Sequence, residues 1–140
     1  MSGYNTNLAA EFYVLSMLHR LGADAALTLG NKKAVDIFLA RDGRKAATID
    51  VKGVAKKYDW PADNIRLEGR YTHFLILVSF EGEIDNPAKV PSVWIVPSQD
   101  IARYIRQYKG RKVVSRADMT SRGKSTGTTG DSYLNKSPTS

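Results

Sequence analysis

The segment from residue 34 to residue 52 constrains this chain more than any other. Two runs of alternating character, residues 34–40 and 44–52, flank the turn Arg41-Asp42-Gly43. Alternation with a period of two marks strands that bury one face. The turn fits a three-residue hairpin, a type I turn followed by Gly43 in the left-handed region. That loop leaves Ala40 opposite Arg44, so even-numbered residues of both strands share a face. Val35, Ile37, Leu39, Ala47, Ile49 and Val51 then form a wholly apolar face that has to pack on a core. Asp36, Phe38, Thr48, Asp50 and Lys52 form the other, where strand alternation gathers two carboxylates and an ammonium. A two-residue Asp42-Gly43 turn would put the two aspartates on opposite faces unless a bulge intervened.

The rest of the chain supplies partners for this hairpin. Residues 7–21 read as an amphipathic helix, with Leu8, Phe12, Leu15, Leu18 and Leu21 at helical spacing, Thr6 or Asn7 as cap and Gly22 as stop. Residues 24–29 make a first strand, residues 34–40 a second and residues 44–52 a third. Residues 53–72 are irregular, basic and aromatic, with room for one short helix. Residues 73–80 form a strongly apolar fourth strand and residues 92–96 a fifth. Ser98 suits the cap of a helix over residues 99–109 that Gly110 closes, and residues 112–115 suit an edge strand. From Thr120 onward Ser, Thr and Gly dominate, so the division is a domain over residues 1–119 and a loose tail over 120–140. No internal repeat is present. This order argues for an α/β or α+β sandwich with a mixed sheet of about five strands flanked by helices.

Size and composition narrow the class. A chain of 140 residues suits one domain. The lack of cysteine excludes a disulfide framework and thiolate metal ligation. There is no basic segment followed by an apolar run at the start, and no apolar stretch near the roughly 20 residues that span a bilayer. A cytoplasmic protein with no membrane partner is the expectation. The net charge of +7 attracts polyanions, of which nucleic acid is the commonest in a cell.

Glu11 sharpens the picture. At about 100° per residue it falls between Leu15 and Leu18, inside the apolar stripe of the first helix. A carboxylate facing a core is costly unless a lysine or arginine pairs with it or it serves a cation. With Asp36, Asp50 and Lys52 converging from the hairpin, a functional cluster is the better reading.

Gly30-Asn31-Lys32-Lys33-Ala34-Val35-Asp36-Ile37, followed by Ile49-Asp50-Val51-Lys52-Gly53, resembles the signature of the PD-(D/E)XK nucleases. That family includes many restriction endonucleases and archaeal Holliday-junction resolvases. The resemblance covers residues 7–53, and the segment Trp94-Ile95-Val96-Pro97-Ser98 leading into a helix is similar to small members of the superfamily. Val35 stands where the family has its nominal proline, and the second acid is Asp rather than the more frequent Glu. The resemblance implies a restriction-endonuclease-like fold and metal-dependent cleavage of nucleic acid, DNA before RNA. Asp36 and Asp50 become the primary ligands of Mg²⁺ or Mn²⁺, with the Val51 carbonyl as third ligand and Glu11 acting directly or through water. Lys52 orients the attacking water and stabilises developing charge. Such domains often pair, so a homodimer is expected, with residues 73–80 and 92–96 serving either as interface or as interior. A separate targeting protein is a further expected partner. The rival is a non-catalytic nucleic-acid-binding or accessory domain of the same fold.

Several cations stand near these acids. Lys32 and Lys33 precede Asp36, and Lys56, Lys57, Arg66 and Arg70 are interleaved with Tyr58, Trp60, Tyr71 and His73. One reading is a DNA-facing surface, with cations on phosphates and aromatics on bases. The other is a solvated loop anchored by Trp60 and Tyr71. Arg103, Arg106, Arg111 and Lys112 read as a solvated helix face. His19 reads as a satisfied core histidine, and it lies too far from His73 to share a metal. Gly123-Lys124-Ser125 lacks the first glycine of a phosphate-binding loop, because Asp118 occupies that place.

Overall fold

The computed structural model describes residues 3–28, 36–40, 46–65 and 72–122. In chain order these form α1 (Gly3–Arg20), β1 (Asp24–Leu27), β2 (Ile37–Ala40), β3 (Ala47–Val54), β4 (Trp60–Pro61), β5 (His73–Ser79) and β6 (Ser92–Pro97). A 3₁₀ helix (Ser98–Tyr104), β7 (Ile105–Tyr108), β8 (Arg111–Val114) and α2 (Arg116–Arg122) follow. The α+β sandwich and its five-stranded mixed sheet are as expected. The sheet runs in the order β1-β2-β3-β5-β6, and a second sheet has the order β4-β8-β7. Among the described residues no helix is long and apolar enough to cross a membrane.

The hairpin keeps its expected parity but not its expected register. Ile37 lies opposite Ile49, where a three-residue turn would bring Ala47. The shift is two residues, an even number, so every side chain stays on its face. Ile37, Leu39, Ala47, Ile49 and Val51 are all buried, as the alternation requires. Val35 and the turn at 41–45 lie outside the described residues.

β3 pairs with β5 in parallel, and β5 pairs with β6 antiparallel. A parallel pair needs a crossover. The connection supplies β4, which leaves the main sheet and joins the second one, and its described part contains no helix. β5 is buried on both faces, which accounts for its unbroken apolar run. Phe74, Ile76 and Val78 meet the α1 layer, and Leu75 and Leu77 meet the second layer. The side chains of residues 73–79 and 92–97 are therefore largely interior, with β6 at the edge of the sheet.

α1 buries Leu18 and packs Leu15 on the core as its spacing predicts, but its buried stripe is turned away from Phe12 and Leu21. Thr6, Ala10, Glu11, Val14 and Leu18 are buried, whereas Phe12 is 54% exposed and Leu21 49% exposed. The cause is Gly53. A Cβ at Gly53 would lie 2.7 Å from the Ala10 Cβ and 3.1 Å from the Thr6 carbonyl oxygen. Small residues at this crossing bring helix and strand together and turn Phe12 and Leu21 outward. Asn7 is no cap, since the helix starts earlier and the Asn7 Oδ1 accepts the Gly53 N–H at 3.2 Å. The stop at Gly22 holds: Ala23 N–H bonds to the Leu18 carbonyl and Gly22 N–H to that of His19. His19 is exposed rather than in the core, although its Nε2 meets the Ala25 carbonyl at 2.9 Å.

The expected helix over residues 99–109 ends early. After the 3₁₀ helix the chain forms the β7–β8 hairpin, with Lys109 at φ 50° and Gly110 at φ 78° between Tyr108 and Arg111. Two successive positive φ values define a tight turn of the primed type, which matches strand twist. Ile101, Tyr104, Ile105 and Tyr108 have helical spacing, but Val113 and Val114 of β8 pair with Pro61 and Trp60 of β4 and draw the segment into a sheet. Pro97 is the N-cap of the 3₁₀ helix, with no side-chain cap bond, so Ser98 is buried within that turn instead of capping it. Arg106 binds Asp118 and Arg111 binds Asp63, so these two and Lys112 belong to the hairpin, while Arg103 stays on the 3₁₀ helix beside Asp100. α2 extends through Arg122, and residues 123–140 lie outside the described residues.

Candidate functional site

The second layer covers only part of one sheet face. Its core gathers Trp60, Trp94, Val96, Ile101 and Val114 over Leu75, Leu77 and Val54. The β2–β3 half of that face stays open. There Phe38 is 48% exposed, and Asp36, Thr48, Asp50 and Lys52 are half-buried. Thr48, Asp50 and Lys52 share the phase of Leu75 and Leu77, as alternation assigned them, while Asp36 stands before β2.

Asp36 stands immediately before β2, where the chain leaves the ladder. Its N–H donates to the Ile49 carbonyl at 3.0 Å, and its own carbonyl accepts the Thr28 N–H at 2.9 Å. Its carboxylate Oδ2 accepts the Val51 N–H at 2.7 Å. The side chain is therefore tied to β3 beside Asp50. A β3 main-chain donor that this side chain satisfies cannot serve a longer β2, so the carboxylate itself marks the strand's start.

Asp50 has a partner that sequence reasoning missed. The Nε2 of His73 lies 3.2 Å from Asp50 Oδ2, and its Nδ1 lies 2.6 Å from the Thr48 hydroxyl. His73 heads β5 opposite Thr48 in the parallel register and is buried. A neutral imidazole meets both contacts, with Nε2–H donating to the carboxylate and the threonine O–H donating to Nδ1. The sequence did hold a signal. His73 is in phase with Leu75 and Leu77, so it faces the core in a strand that is otherwise apolar. Grouping it with the loop cations hid that phase.

Glu11 is buried on α1, as its place in the helix predicted. However, α1 packs on the sheet face opposite Asp50 and Lys52. Among the described residues no three Asp, Glu or His side chains gather closely enough to hold a metal ion between them. The structure ties Asp36, just before β2, to Val51, which lies between Asp50 and Lys52 on β3, and among the described residues Glu11 does not complete a three-donor set. The donor chemistry still suits a hard cation. Mg²⁺ typically keeps several waters and takes only one or two protein carboxylates together with substrate phosphate, which a pair of aspartates satisfies.

Of the surrounding cations, Lys56 and Lys57 are exposed. Lys32, Lys33, Arg66 and Arg70 lie outside the described residues, as does Tyr71. Trp60 is no nucleic-acid contact: it is fully buried, and its Nε1 donates to the Val78 carbonyl at 3.0 Å. It meets Trp94 edge to face, with ring centroids 5.3 Å apart. Arg116 closes this layer by binding both carboxylate oxygens of Glu81, at 2.7 and 2.9 Å, and lying over the Trp94 ring.

No protein-family model matches the chain, and no curated protein matches it in sequence. Among solved structures, the bacterial homing endonuclease I-Ssp6803I is similar to 90% of this chain over 97% of its own, with a TM-score of 0.52 and 15% identity. At that identity the likeness is one of fold, and the fold is that of a known endonuclease.

Proposed function

We propose that this protein is a metal-dependent nuclease of the PD-(D/E)XK kind that hydrolyses phosphodiester bonds in DNA. The observation that supports the reading is that Asp36 is tied to β3, the strand that bears Asp50 and Lys52. Asp36 is held to β3 through the Val51 N–H, and Asp50 is held by His73. The endonuclease fold and the net charge of +7 support the same reading.

Asp36 and Asp50 would hold Mg²⁺ or Mn²⁺, with the Val51 carbonyl as a further ligand. The ion would neutralise charge on the phosphoryl oxygens and lower the pKa of bound water. Lys52, two residues along the same face from Asp50, would orient the attacking water and stabilise the oxygen that gains charge through hydrogen bonds from its ammonium. Glu11 has no part in this ligand set, since α1 packs on the opposite face of the sheet. Lys56 and Lys57 contact phosphates outside the reacting group, as do Lys32, Lys33, Arg66 and Arg70. Pairing of two copies would address both strands of a duplex, and a targeting protein would direct the domain to its site.

One observation favours a rival. That no three-donor set forms among the described residues, together with the His73–Asp50 contact, would equally suit a domain that binds nucleic acid without cutting it. A cleavage assay separates the two. Wild-type protein with Mg²⁺ or Mn²⁺ should cut at least one of supercoiled, linear, branched or single-stranded DNA, and EDTA should stop it. Asp50→Ala and Lys52→Ala should be inactive yet folded. No cleavage of any form, or full activity in either variant, removes the nuclease reading.

A further inference from the structure

A cleft of about 400 Å³ opens where β3 ends. Segments far apart in sequence form its wall: Asn7 on α1, Lys52 on β3, Tyr58, Asp63 and Asn64 in the loops flanking β4, and Arg111 on β8. Resting on the nucleic-acid reading above, we propose that this cleft seats one unpaired nucleotide of the strand next to the bond that is cut. Its phosphate lies on Arg111 and Lys52, and its base lies against Tyr58.

Size comes first. Pockets for single small ligands span roughly 300–1,000 Å³, so this cleft has the size to take one nucleotide. Position comes next. Lys52 belongs both to the face that carries Asp36 and Asp50 and to the wall of the cleft, so a strand lying in the cleft passes the proposed reacting groups.

Tyr58 has the character of a stacking platform. Its side chain is 60% exposed, yet the loop that carries it is fastened on both sides. The Ser79 hydroxyl donates to the Lys56 carbonyl at 3.1 Å, and the Arg116 N–H donates to the Asp59 carboxylate at 2.8 Å. The neighbouring Trp60 is fully buried. An exposed ring on a fixed loop stacks a base with little ordering cost, and stacking accepts any base.

Arg111 supplies the charge. Its side chain is 70% exposed and meets Asp63 at 3.1 Å. An exposed pair of this kind is weak, and a phosphodiester offers the guanidinium the same fork geometry. Asn7 and Asn64 add amide donors to the wall.

The test is equilibrium binding without divalent ions, using a fluorescent single-stranded oligonucleotide and its blunt duplex. Wild type should prefer the single strand. Tyr58→Ala and Arg111→Ala should each raise its Kd about tenfold, while Tyr58→Phe binds as wild type does. Arg111→Ala should also flatten the salt dependence by about 0.7 in the log–log slope. Both side chains are exposed, so unchanged thermal unfolding will show that the variants fold. Single-strand Kd values within about twofold of wild type for both variants would overturn the proposal, as would a wild-type preference for the duplex. If wild type binds but cuts nothing, the nuclease reading falls while the shifts in Kd still support the cleft. If it cuts and the variants bind unchanged, the cleft proposal falls alone.

Discussion

His73 holds Asp50 from the neighbouring parallel strand, its Nε2 3.2 Å from the carboxylate, while Thr48 secures the other ring nitrogen. The contact orders one of the two proposed metal ligands before any ion arrives. Partners that orient a ligand in this way usually matter 10–100-fold in metal affinity or activity. His73→Ala should weaken Mn²⁺ binding, measured by calorimetry, by about that factor, and Thr48→Val by less. Equal Mn²⁺ affinity in folded His73→Ala would show that the imidazole does not position Asp50.

Gly53 fixes how closely α1 approaches β3. A Cβ there would sit 2.7 Å from that of Ala10, so Gly53→Ala has to push helix and strand apart. Overpacking of this kind costs about 1–3 kcal/mol. Chemical denaturation of Gly53→Ala should show that loss, and Ala10→Gly added to it should recover part. An unchanged midpoint in the single variant would contradict the close crossing.

Glu81 gives the fold a dependence on acid. Burial by itself would raise the carboxyl, but bonds from Arg116, Ser79 and Ser92 and the Arg116 charge outweigh it, and the group ends below its ordinary value of 4.5. A carboxyl lowered in the folded state contributes stability that is complete above the unfolded value and is lost as pH falls through the folded one. The stability advantage of wild type over Glu81→Gln should therefore be constant near neutrality and shrink below about pH 4.5. An advantage that grows on acidification would reverse the sign.

The two buried tryptophans should respond differently to loss of the indole N–H. Trp60 Nε1 donates to Val78, whereas Trp94 Nε1 has no hydrogen-bond partner among the described residues. Trp60→Phe should cost about 1 kcal/mol more than Trp94→Phe in chemical denaturation, from the lost bond. Equal costs would mean that ring packing alone sets both.

Strand alternation was the most legible signal in the chain. It assigned both faces of the β2–β3 hairpin and survived an incorrect loop length, because a two-residue shift preserves phase. The burial of Glu11 was also readable from its angle on the helix. Long-range pairing was not. The β7–β8 hairpin exists because β8 pairs with β4, some fifty residues earlier, and a helical spacing of Ile101, Tyr104 and Ile105 outweighed that in one dimension. The exposure of Phe12 depends on Gly53, which only the fold brings beneath α1. His73 needed the parallel register of β3 and β5 to appear beside Asp50.

The central claim is that Asp36 and Asp50 together hold a divalent cation beside Lys52. Anomalous diffraction from crystals soaked in Mn²⁺ tests it most directly. The expected result is one peak within about 2.1 Å of an oxygen from each aspartate, absent from Asp50→Ala crystals. Well-ordered aspartates with no peak between them, in crystals of a protein that still cuts DNA in Mn²⁺, would contradict it.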